Sequence, residues 1–206
     1  MPRGFTEREK AHIKATLLAK ARESLAAHGL KKTNVEELAQ AAGISKGAFY
    51  QFYGSKEELL IEVVEQFEAE FQRNVLAEIA AVRPATPAAV KALLLSMVVD
   101  WQADPMFAKI TSAEIVLVMQ RVPPEIAERG IRTDDAFAAQ IIAAWAEAGL
   151  VVEREPRMFA ALCRALFFVS LHRADFAADM YGPMIDVLSE LIAGYLVGRP
   201  AQGGLA

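Results

Sequence analysis

Residues 41–60 read AAGISKGAFYQFYGSKEELL. Gly43 divides two short apolar patterns. Phe49, Tyr50, Phe52 and Tyr53 then crowd into five positions between Lys46 and Lys56. Aromatics at this density belong in a core, yet lysines, a serine and a glutamine interleave them. A short helix with one pinned face and one open face reconciles the two. Ser45 can cap such a helix, and the spacing predicts it over about Lys46 to Phe52, stopped by Gly54-Ser55. A helix this brief cannot hold itself together in water, so its inner face must be clamped. Phe49 and Phe52, three apart, can do that. Tyr53 reads as packing.

Helical starts and stops surround this stretch. Thr6 with Glu9 has capping-box spacing and opens a first helix to about Ala27. Ile13, Leu17, Ala21 and Leu25 form its stripe. Gly29 suits the left-handed position that ends it. Asn34 with Glu37 opens a second helix, which buries Val35, Leu38, Ala39 and Ala42. Ser55 with Glu58 opens a fourth, long helix, with Leu59, Leu60, Val63, Val64, Phe67 and Phe71 inward. Helix, glycine turn and short helix together have helix-turn-helix spacing.

Charge separates this segment from the rest. The chain has 206 residues and a net charge of −4. Residues 1–56 hold ten Lys and Arg against five Asp and Glu, a net of +5. Residues 57–206 hold twelve against twenty-one, a net of −9. A basic head on an acidic remainder is what a DNA-contacting domain on a body with another task requires. On the outer face of the short helix, Gly47 and Ala48 permit close approach, and an Ala methyl can touch a thymine methyl. Gln51 can bond an adenine edge in bidentate fashion. Tyr50 offers a hydroxyl to phosphate. Lys56 adds a charge and exposed N–H groups at the start of the fourth helix. The candidate DNA contacts are Asn34, Ser45, Lys46, Gly47, Ala48, Tyr50, Gln51 and Lys56.

The run from Thr33 to Leu60, TNVEELAQAAGISKGAFYQFYGSKEELL, resembles the DNA-binding signature of TetR-family transcriptional regulators. The resemblance covers about residues 6–62; beyond them it is one of layout. It implies an all-α homodimer: an N-terminal three-helix helix-turn-helix domain, residues 1–55, and a larger helical effector-binding and dimerisation domain, residues 56–206. It implies a regulator, a repressor released from a palindromic double-stranded operator by a small effector whose binding tilts the fourth helix. Two heads must sit ~34–36 Å apart to meet successive major grooves.

The rest of the chain shows helical spacing and no strand signal. Helices are expected over about Pro87–Trp101, Ala113–Arg121, Pro124–Ala148, Arg157–Ala177 and Tyr181–Val197, with a short piece near Pro105–Thr111. The last two are apolar on more than one stripe, which a core on one side and a second copy on the other would cover. The tail GRPAQGGLA, residues 198–206, reads as frayed. Candidate effector residues are Phe67, Phe71, Trp101, Phe107, Ile110, Met119, Trp145, Phe168 and His172, with Met106 beside them and Gln66 and Gln120 as polar anchors of a mainly apolar pocket. Such stripes are also ordinary core, and His172 reads as a buried histidine of an apolar helix.

Competing classes leave little trace. No Gly-rich phosphate loop, GxSxG, HExxH or paired acids with a positioned His occurs, so neither an enzyme nor a cofactor is expected. No His, Cys, Asp or Glu set has metal spacing. A helical carrier or enzyme with an incidental basic head, and a DNA-bound regulator without a small effector, are the alternatives. No apolar run reaches the ~18 residues of a membrane span. The polar N-terminus shows no secretion segment. The single cysteine, Cys163, fits a cytoplasmic protein and reads as a small core residue.

Overall fold

The computed structural model describes residues 4–81, 86–107, 112–149 and 154–197; the statements below concern these residues. Nine α-helices and no strand occur among them: α1 Glu7–Lys32, α2 Val35–Ala41, α3 Lys46–Phe49, α4 Lys56–Ala81, α5 Pro87–Ala103, α6 Ser112–Met119, α7 Pro124–Glu147, α8 Pro156–Leu171 and α9 Ala178–Val197. The all-α expectation holds. Residues form two compact units, Met1–Ala69 with Asp104–Pro123, and Glu70–Ala103 with Pro124–Ala206, the division falling within α4.

In the first unit local sequence rules set the helix ends. Thr6 Oγ1 accepts from Glu9 N–H at 3.3 Å, and the Glu9 carboxylate accepts from Thr6 N–H at 2.7 Å, a complete capping box. Those bonds, the backbone one foremost, hold the Glu9 carboxyl below its ordinary value. Helical hydrogen bonding continues past the expected end at Ala27 to Lys32. It is broken within by Gly29 at φ 76°, ψ −178°, a conformation that suits glycine. Ile13, Leu17, Ala21 and Leu25 are buried as the stripe requires.

At the end of α2, Gly43 N–H donates to Gln40 O at 3.0 Å and Ile44 N–H to Ala39 O at 2.9 Å. With Gly43 at φ 70°, this is a Schellman turn. Ser45 Oγ then accepts from Ala48 N–H at 3.1 Å and starts α3. The third helix is shorter than expected. After Phe49 the chain tightens, Gln51 N–H donating to Ala48 O and Phe52 N–H to Phe49 O, both i→i−3. Ser55 Oγ accepts from Glu58 N–H at 3.1 Å, and the Glu58 carboxylate reaches back to Gly54 N–H at 3.0 Å.

In the second unit α7 packs on α8, α9 packs on α5 and α8, and α5 packs on α8. Lys91 of α5 reaches Asp186 at 2.8 Å and Glu190 at 3.1 Å on α9. Those hydrogen bonds, to Asp186 first, raise the Lys91 ammonium above its ordinary value. By length and mean hydropathy α9 is apolar enough to cross a membrane, although Asp179, Asp186 and Glu190 interrupt its apolar run. It also buries Ile185, Ile192 and Leu196 within the protein, as a core helix does. Its start differs from that expected. α9 begins at Ala178, so Pro183 lies inside the helix rather than at its first turn. α8 stops earlier than expected, at Leu171, where a 3-10 turn over Arg173–Asp175 follows. The tail 198–206, residues 108–111 of the Pro105–Thr111 piece, and Ile110 with them lie outside the described residues.

Candidate nucleic-acid interface

The short helix has the two faces that its sequence requires. Phe49 is fully buried and Tyr53 is 5% exposed, their ring centroids 5.8 Å apart. Phe52 is half-buried and packs on Phe5 at 5.9 Å. The Tyr53 hydroxyl is buried without a well-formed hydrogen bond. Burial first, and the Glu62 carboxylate second, push its phenol above the ordinary range. Tyr53 therefore clamps the helix and is no outward contact.

The opposite face is open. Ser45, Lys46, Gly47 and Gln51 are exposed, and Tyr50 is 51% exposed. Lys46 with Tyr50, and Gly47 with Gln51, are four apart and so share one face. The Tyr50 ring stands edge-on to Phe49 at 5.4 Å, which fixes its direction without burying its hydroxyl. Ala48 is half-buried at the margin. A Cβ at Gly47 would meet nothing nearer than Ser45 Oγ at 3.9 Å, and the backbone there is helical. The fold itself makes no demand for glycine at this position.

Two of the polar candidates are helix caps. Asn34 Oδ1 accepts from Glu36 N–H at 2.9 Å, so it caps α2 without the expected Glu37 box. Its amide NH2 remains a donor, and so does the Ser45 hydroxyl. Lys56 has a further task. Its ammonium donates to Leu30 O at 3.2 Å and Thr33 O at 3.0 Å, carbonyls at the end of α1. A cation suits that end of a helix. With two of its three donors committed and its side chain half-buried, Lys56 braces α4 against α1 and keeps one donor for a phosphate. The N-terminal turn of α4 is likewise occupied: Glu58 N–H is taken by Ser55, and Glu57 and Glu58 are acidic.

Which cations of the head are spent within the protein could not be read from composition. Lys10 pairs with Glu7, Lys14 with Glu62, Lys20 with Glu23 and Arg22 with Asp104. Arg8, Lys31, Lys32 and Lys46 are exposed and make no ion pair among the described residues. The Lys31-Lys32 pair, just ahead of Asn34, was not singled out from sequence; its signal was two adjacent cations beside a helix start.

Four of the effector candidates meet in two pairs, one in each unit. Phe67 and Phe107 are buried in the first unit, edge to face at 4.8 Å, with the Arg22 guanidinium 5.8 Å from the Phe67 ring. Met106 is fully buried. Trp145 is buried against Phe159 at 5.9 Å, and Phe71 is buried against Trp101 at 5.8 Å. Met119 and Phe168 are exposed, as are Gln66 and Gln120. His172 caps the end of α8 in solvent, its Nδ1 2.7 Å from Asp175 Oδ2, and is not the buried histidine expected. Trp101 lines a cavity in the second unit, about 40 Å³ in volume. Its other walls are Leu94, Met97, Val98, Cys163, Leu166 and Phe167.

A helix-turn-helix head with an open outer face is the architecture of DNA-binding regulators, and comparison with known proteins finds the same architecture. Residues 17–63 match the family of bacterial regulatory proteins, tetR family. Solved structures share the fold across nearly the whole chain. A TetR-family transcriptional regulator of Pectobacterium atrosepticum is 22% identical, with 95% of this chain and 100% of that chain covered and a TM-score of 0.72. FadR of Thermus thermophilus, a TetR-family repressor solved with lauroyl-CoA, is 18% identical over 94% and 100%, with a TM-score of 0.66. SmeT, repressor of the Stenotrophomonas maltophilia efflux pump SmeDEF, is 20% identical over 89% and 90%, with a TM-score of 0.58. The chain thus carries the DNA-binding segment and the fold of TetR-family transcriptional regulators.

Proposed function

We propose that the protein is a sequence-specific transcriptional repressor that binds a palindromic operator as a homodimer and is released by a small, mainly apolar effector. The carrying observation is the pinned and open pair of faces on α3: Phe49 and Tyr53 inside, Lys46, Gly47, Tyr50 and Gln51 outside. In this reading Gln51 and Ala48 meet base edges, and Tyr50, Lys46, Ser45 and Asn34 hold phosphates. Arg8, Lys31 and Lys32 add sequence-independent attraction. The glycine at 47 serves the approach of the duplex. Residues 1–55 act as the reading head and 56–206 as the effector-binding and pairing body, and no catalysis is assigned to either.

Pairing is supported by unpartnered apolar stripes. Met158, Ala161, Ala165 and Phe168 are exposed along α8; Met180, Val187 and Leu191 are exposed along α9. Both follow three- and four-residue spacing, so each is one face. A second copy is the partner that would cover the same face twice. That FadR was solved with lauroyl-CoA, whose acyl chain is apolar, supports a body able to admit an apolar group. The test is to select bound fragments from genomic DNA with the purified protein, then screen small molecules for release. Enrichment of an inverted repeat is expected; no enrichment at low salt would sink the proposal.

A further inference from the structure

The cavity of the second unit lies between one face of α5 and one face of α8. Leu94, Met97, Val98 and Trp101 follow i, i+3, i+4, i+7 spacing, and Cys163, Leu166 and Phe167 follow i, i+3, i+4. Leu94, Val98 and Leu166 form a buried floor, whereas Met97, Trp101, Cys163 and Phe167 are half-buried. The space is therefore rimmed rather than sealed. At about 40 Å³ it exceeds the volume one water needs, yet apolar cavities of this kind stay dry. Close-packed interiors seldom leave such a space.

We propose that this cavity seats the apolar end of the effector, and that the effector is an uncharged lipophile such as a neutral alcohol, ester or ether. The assignment rests on the reading of the chain as an effector-controlled regulator. No wall residue carries a charge. The neighbouring Arg164 is matched in charge by Asp134, its Nε donating to Asp134 Oδ2 at 3.1 Å and its Nη2 lying 3.0 Å from the same oxygen, so the pair presents no net charge. A carboxylate or ammonium held next to that apolar end would lie against the half-buried rim with no free counter-charge on any wall, which disfavours it. Covalent capture by Cys163 is disfavoured too. Burial first, then the Asp134 carboxylate, push its thiol up to about 12, so it stays protonated. The rings of Trp101 and Phe167 touch at 4.3 Å between centroids. Both are only half-buried at the rim, so they can part and enlarge the space while the floor stays in place. Met97 at the rim adapts readily to a new shape.

The experiment titrates the full-length protein, by calorimetry at neutral pH, with octanol, octanoate and octylammonium, which share a chain and differ in charge. Octanol is expected to bind once per chain and at least roughly tenfold more tightly than either ion. Cys163→Leu, which fills the space, should weaken octanol by about tenfold or more, and Leu166→Ala, which enlarges it, should strengthen binding of the bulkier adamantanol. Retained DNA binding by both variants shows that they fold. Octanoate equal to octanol, no octanol heat, or indifference of octanol to Cys163→Leu would each overturn the assignment. Octanol binding confined to a monomeric Leu191→Asp variant would also overturn it, giving the rim to a second copy. A protein that binds octanol as described yet retains no DNA fragment overturns the regulator reading and leaves the cavity assignment standing.

Discussion

The Lys56 ammonium donates to the Thr33 carbonyl at 3.0 Å, joining the first turn of α4 to the end of α1. Thr33 is itself buried, its hydroxyl donating to Gly29 O at 3.0 Å. The brace therefore runs from the end of α1 to the first turn of the helix that leaves the head. Lys56→Ala should lower stability by about 1.5–3 kcal/mol, the range for hydrogen bonds to a charged group. It should weaken DNA binding while changing the slope of log K against log salt by less than Lys46→Ala does. Thermal unfolding alongside binding at four salt concentrations separates the two effects.

Gly47 gives the sharpest contrast between folding and binding. Replacing it by Ala introduces a Cβ into open space on a helical backbone. Gly47→Ala should raise stability by about 0.5–1 kcal/mol. It should at the same time weaken operator binding, because the added methyl stands where the duplex approaches. A gain in melting temperature with unchanged affinity would remove Gly47 from the interface.

Tyr50 and Gln51 should fail in different ways. Tyr50→Phe removes an exposed hydroxyl and should reduce affinity uniformly across sequences, by about 0.5–1.5 kcal/mol, with no loss of stability. Gln51→Ala should relax preference at one base pair, by roughly 1–3 kcal/mol if the contact is bidentate. Binding of each variant to a panel of single-base operator changes distinguishes a uniform loss from a positional one.

Glu57 ties the start of α4 to the end of the α6 segment, accepting from Arg121 Nη1 at 2.9 Å. Burial acts to raise its carboxyl, but the Arg121 hydrogen bond and the nearby cations outweigh it and leave it below its ordinary value. A depressed carboxyl contributes stability above its unfolded pKa and loses it as pH falls through the folded one. Arg121→Gln should therefore cost up to about 1 kcal/mol at neutral pH, Arg121 being largely exposed. The gap to the native protein should close as pH is lowered through the carboxylate range, in urea unfolding followed over pH.

The head was legible because its determinants are local. Thr6 and Glu9, Ser45 and Ala48, Gly43 and Gln40 act within three residues, and each makes the bond its spacing suggests. The bracing role of Lys56 was not legible because its partners lie 23 and 26 residues away, and sequence shows the charge but not the carbonyls it meets. The body was less legible for a related reason. Phe167 lines the cavity and Phe168 faces solvent, adjacent residues about 100° apart on one helix, and no pattern says which side a neighbour takes. Likewise α8 ends at Leu171, so His172 sits in solvent beside Asp175 rather than in the apolar helix its surroundings suggest.

The exposed stripe of α9 gives a prediction on assembly. Leu191 is 65% exposed in the single chain. Leu191→Asp should convert a dimer to monomer in analytical ultracentrifugation with little loss of helix content. Operator affinity should fall steeply, because one head makes half the contacts.

The most direct measurement is the binding of a selected operator fragment by the double variant Lys46→Ala, Tyr50→Ala, followed by fluorescence anisotropy, with dimerisation and melting temperature as controls. Both side chains are exposed and hold no ion pair, so the folded dimer should persist unchanged while affinity falls by roughly a hundredfold or more, about 2.7 kcal/mol. Affinity within twofold of the native protein would mean that this face does not meet DNA.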